Sequence, residues 1–146
     1  MSARAKLLCV VAATLWLGAT GCDAREPGTE VGPRGGVVTS EDGRVTLDVP
    51  PGALLDTIEL SIVPVEDAPD NAIGPAYAIE PFGVAFVAPA MIAYDVSDCR
   101  DHDPEAVRLV TERGDGWDSL SDRELDLERA ELSATVLFAA AVTAVE

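Results

Sequence analysis

The sequence predicts an all-β fold, an antiparallel β-sandwich of short strands, and three observations lead to it. Beyond residue 35 the apolar residues recur mostly with a period of two, the mark of half-buried strands. Turn signals divide these runs at short intervals: Asp42-Gly43, Pro50-Pro51-Gly52, Gly74-Pro75, Pro89 and Gly114-Asp115-Gly116. From Gly35 to Glu146 there are 112 residues, enough for one domain with its own core and too few for two comfortable ones.

Taken in chain order, the first element is a targeting segment. Arg4 and Lys6 give a basic start, and residues 7–19 form an uncharged apolar run of 13 residues. A membrane-spanning helix needs about 20 such residues, so residues 1–21 are expected to be a signal segment that is removed on export. Residues 22–34 follow, and from Asp23 they read DAREPGTEVGPR. Charges, Pro and Gly without an apolar period predict a flexible tether there.

The firmest strands are VTLDV (45–49) and TIELSI (57–62), in which Val45, Leu47, Val49 and Ile58, Leu60, Ile62 each share one face. Further strands are expected at 76–80, 83–87, 91–96, 106–111, 116–120 and 131–138. Between the first two, Pro50 and Pro51 cannot donate to a sheet ladder and Gly52 relieves the backbone, so this stretch predicts a corner and not a working loop. A helix competes only over residues 121–141, where Ser121 could cap and Leu125, Arg129, Leu132 and Val136 fall at helical spacing. Leu125 and Leu127, then Leu132, Ala134, Val136 and Phe138, also satisfy a period of two, and strands are the reading adopted.

Charge narrows the partners. Loss of residues 1–21 would leave 8 basic residues, all Arg, against 26 acidic ones, a net charge of 8 − 26 = −18. Such a surface has no basic patch to release phosphate counterions, so no nucleic-acid partner is expected, and anionic head groups would repel it. Membrane attachment would have to come from lipid, which anchors stably with two or more chains.

The stretch ATGC, residues 19–22, resembles the lipobox of bacterial lipoproteins, in which small residues precede a Cys that becomes the lipidated N-terminus. The resemblance implies lipidation at Cys22 and a membrane-anchored protein of the cell envelope, periplasmic or surface-exposed. The same small residues also suit an ordinary signal peptidase, which would leave a soluble secreted protein. Cys9 departs with the signal, so Cys99 remains as a lone thiol beside Cys22.

A second resemblance covers the domain itself. GGVVTSEDGRVTLDVPPGAL, residues 35–54, resembles the opening motif of the ZU-five family, named for the zonula occludens scaffold and the netrin receptor uncoordinated-five. The matching positions are Gly35 and Gly36 leading into a strand, Gly43 and Arg44 in the next turn, and Pro50, Pro51, Gly52 and Ala53 ending the second strand. Residues 76–96 are similar to the family's later block. The resemblance implies an all-β domain that mediates protein contacts and is not an enzyme. Some relatives cleave themselves at a His-Phe-Ser, and the matching Leu137-Phe138-Ala139 lacks both the nucleophile and the base, so self-processing is not expected.

Other candidate sites are fewer. The loop DVSDCRDHDPE, residues 95–105, is rich in carboxylates, and Asp98, Asp101 and Asp103 are its candidate calcium ligands, although the spacing is not that of an EF-hand. A solvated charged loop is the plainer reading. His102 is the sole imidazole and would need a nucleophile brought from elsewhere. Cys99 beside Arg100 would be reactive if its pKa were lowered, and inert if buried. Arg113-Gly114-Asp115 reads first as a hairpin turn, and Trp117 as a core anchor with glycan stacking as its functional alternative. The expected function is therefore a lipid-anchored, non-enzymatic contact module, with a calcium- or glycan-binding module as the alternative.

Overall fold

The computed structural model describes residues 28–146, and in them eleven strands form two antiparallel sheets packed face to face. The expected signal segment, Cys22 and the first part of the expected tether lie outside the described residues. The strands are β1 (Thr29–Val31), β2 (Gly36–Thr39), β3 (Val45–Val49), β4 (Ile58–Val65), β5 (Ala76–Glu80), β6 (Ala85–Asp95), β7 (Arg108–Arg113), β8 (Gly116–Ser119), β9 (Glu124–Asp126), β10 (Glu131–Phe138) and β11 (Ala141–Val145). A six-stranded sheet runs β1-β4-β5-β11-β7-β8 and a five-stranded sheet runs β2-β3-β6-β10-β9.

Alternation in the sequence becomes alternation across the sheets. Val45, Leu47 and Val49 of β3 and Leu132, Ala134 and Val136 of β10 are buried, while Asp48 and Leu137 point to solvent. Opposite them Leu60, Ile62, Tyr77, Ile79, Leu109, Val142 and Ala144 supply the other half of one core. Tyr77 and Tyr94 meet edge to face across it, with ring centroids 6.0 Å apart.

The corner at residues 50–52 forms as its chemistry requires. β3 stops at Val49, Gly52 takes φ 83° and donates its N–H to Pro33, and Ala53 donates to Pro50. Gly35 is equally constrained, with φ 76° and its α-carbon packed against the Val49 carbonyl and the Pro50–Pro51 backbone, where a side chain has no room.

Four expectations need correction. β1 falls inside the expected tether: it pairs with β4 from Thr29↔Leu60 to Val31↔Ile58, and Val31 is fully buried. One apolar residue with two polar neighbours shows no period, so its strand character comes from the edge that β4 offers. The strands expected at 83–87 and 91–96 are one, β6. Pro89 is tolerated because β3 pairs only as far as Asp48↔Met91, and on the other side the ladder to β10 shifts register between Val136 and Phe138. β11 did not register as a strand because all five of its residues are buried and no alternation remains. Trp117 is half-buried on edge strand β8 and takes no part in the core cluster. No helix occurs over the described part of residues 121–141, where β9, β10 and β11 stand.

Candidate functional site

The motif residues and the acidic loop are joined in the structure, and the join is structural. Asp42, in the turn between β2 and β3, accepts from Ser40 Oγ at 2.7 Å, from the Arg44 N–H at 3.1 Å and from the Tyr77 hydroxyl. Burial pushes the Asp42 carboxyl up, but the Tyr77, Ser40 and Arg44 donors together hold it below the usual carboxylate range. Burial, then the facing carboxylate, push the Tyr77 phenol up to about 12. Arg44 reaches outward to the Asp98 carboxylate and, at 3.4 Å, to the Asp95 carbonyl. The turn is thereby tied to both sheets.

Asp98 thus has Arg44 as its partner. Asp103 accepts the Glu105 N–H at 3.0 Å within its own turn, and Asp101 stands exposed. Asp98, Asp101 and Asp103 are not brought together: among the described residues no three His, Cys, Asp or Glu side chains are gathered to hold a metal ion. His102 lies with Nδ1 2.6 Å from Glu146 Oε2 at the end of the chain. Cys99 is buried, its Sγ 3.5 Å from the Ile73 carbonyl, and burial pushes its thiol up despite the Arg44 charge. Arg113-Gly114-Asp115 forms the β7–β8 hairpin, with Gly114 at φ 60°.

Two surfaces stand out. The first is the outward face of the five-stranded sheet, where Val37 of β2 and Val87 and Met91 of β6 are 54%, 70% and 50% exposed. The register sets Val37 opposite Asp48 and Asp48 opposite Met91, so these two apolar side chains flank an exposed carboxylate.

The second is a groove of about 410 Å³ where the two sheets part on the β8–β9 side. β9 pairs with β10 only from Glu131↔Asp126 to Ser133↔Glu124. By that register Asp122 would next stand opposite Thr135 and Leu120 opposite Leu137. The chain has already crossed, however: the Leu120 N–H donates to the Leu109 carbonyl of the other sheet at 2.9 Å. The Asp122 side chain bridges the gap, accepting from the Thr135 N–H at 3.3 Å and from its hydroxyl. The Thr135 donors hold its carboxyl below the usual range. Farther along, Arg113 lies over the Phe138 ring, 5.6 Å from the centroid, with Nε 3.5 Å from Asp118 Oδ2.

The loop residues, Cys99, His102 and Trp117 were legible as candidates in the sequence. The groove was not, because it depends on the residue at which β9 leaves β10. The class defined by the fold is an all-β sandwich of two antiparallel sheets. Compared with known proteins, the chain matches no family model and no curated protein.

Proposed function

We propose that this chain is a non-enzymatic, lipid-anchored protein of the bacterial cell envelope, with a ZU-five-like β domain that works by protein contact. The observation that carries the reading is the outward face of the five-stranded sheet, where Val37 and Met91 are exposed on either side of Asp48 and Val87 is exposed farther along β6. Apolar side chains clustered on a surface favour association, and the acidic setting selects a partner whose apolar contact is rimmed by Lys or Arg. The motif glycines support the kinship, since Gly35, Gly43 and Gly52 each hold a positive-φ turn. The non-enzymatic reading is supported by the burial of the Cys99 thiol.

Two measurements test the proposal. Intact mass of the mature N-terminus should show a diacyl or triacyl adduct on Cys22, and an unmodified Cys22 terminus would defeat the anchor. A partner captured from the envelope fraction, identified and purified, should bind the wild-type domain and lose at least tenfold in affinity for the Val87→Ser/Met91→Ser variant. Unchanged affinity would defeat the face.

A further inference from the structure

We propose that the groove beside β10 is a strand-addition site for an extended segment of another protein in which basic residues alternate with aliphatic ones. The proposal rests on the contact reading above and names a second surface, with its own chemistry, for that contact. The register carries it. β9 stops serving β10 at Ser133, so Thr135 to Phe138 have no strand on that side, and the two residues that would continue β9 have left for the other sheet or reach back only by a side chain. A strand edge of this kind offers main-chain donors and acceptors to an incoming chain, while pockets between alternate side chains give selectivity.

The surroundings specify the occupant. Leu120, Val136 and Phe138 line the groove and suit an aliphatic side chain. Asp122 lines it, and the one cation in its lining, Arg113, is engaged by Phe138 and by Asp118 just outside, so the uncompensated Asp122 carboxylate, on a strongly acidic chain, favours Lys or Arg on the incoming strand. A second copy of this chain fits poorly. Of its four edge strands, β1, β8 and β9 carry Glu30, Asp118, Glu124 and Asp126, which would set like charges together, and β2, Gly36–Thr39, has no Lys or Arg to offer the groove. Asp122 occupies the first rung, in the position an arriving strand would take over.

The test uses a capped Lys-Val-Lys-Val-Lys peptide and the same peptide N-methylated throughout, which keeps the charge and removes the ladder. Fluorescence anisotropy should show the unmethylated peptide binding at least tenfold more tightly, and hydrogen exchange should slow at residues 135–138. Ser121→Trp, which fills the groove from an exposed position, should cost at least tenfold, whereas Val87→Ser/Met91→Ser should leave the peptide affinity unchanged. Equal binding of the two peptides, or protection confined to other strands, would overturn the proposal. So would a concentration-dependent dimer of the chain that Ser121→Trp dissolves. Loss of peptide binding with the face-dependent partner retained would fault the groove alone, and the reverse would fault the face alone.

Discussion

At the scale of single residues, the Asp42–Tyr77 pair shows how a surface turn is coupled to the core. Tyr77 is 1% exposed, yet its hydroxyl finds an acceptor in an exposed turn on the other sheet. Tyr77→Phe should therefore cost about 0.5–1.5 kcal/mol, measured by denaturant unfolding near pH 7. The same pair predicts an alkaline limit. The folded phenol is pushed up to about 12 from the ordinary 10.0, so the stability it contributes is intact below pH 10 and drains away as pH rises through the folded value. Tyr77→Phe should flatten that part of the stability-versus-pH curve. At Gly35 any side chain would meet the Val49 carbonyl and the backbone would be held at φ 76°, so Gly35→Ala should destabilise by at least about 2 kcal/mol. The glycines of the motif were legible because a turn chemistry announces itself locally. The fate of Asp98 was not, because its partner Arg44 lies 54 residues away.

Strands whose two faces differ could be read from their residues alone, and strands whose faces do not differ could not. β3 was read over Val45–Val49 and β10 over Glu131–Phe138, because each buries alternate residues and exposes the rest. β11 buries Ala141 through Val145 without exception, and β1 has three residues, too few to display any period. In β6 the proline rule was sound and its premise failed, since Pro89 stands where neither neighbour asks for an N–H. These elements exist because of partners far off in the chain. β1 in particular adds Val31 to the core, so a chain shortened to begin at Gly35 should lose about 1.5–3 kcal/mol relative to one beginning at Gly28, as read from urea midpoints. Equal midpoints would return residues 29–31 to the tether.

Over the whole molecule, charge is the dominant departure from the ordinary. The chain carries 26 acidic residues against 10 basic ones, and salt bridges among the described residues engage few of the carboxylates. Sodium chloride at pH 7 should raise the thermal midpoint by about 2–5 °C through screening of this repulsion. Acid should act oppositely through particular groups: Asp42, Asp95 and Asp122 are all held below the usual range, so their contribution is present at neutral pH and is lost as pH falls through and below about 4. Replacing Asp122 by Asn should shrink that acid loss. Calcium at millimolar concentration should move the midpoint no more than sodium chloride of matched ionic strength, because Asp98, Asp101 and Asp103 are not gathered into one site.

The position of β1 also orients the molecule. The chain enters the six-stranded sheet at one margin, five strands across from β8, a span of about 24 Å at ordinary strand spacing. A hold on the chain at Gly28 would take the domain by one flank and leave the cleft beside Phe138 on the opposite flank, like the jaw of a clamp held by its handle.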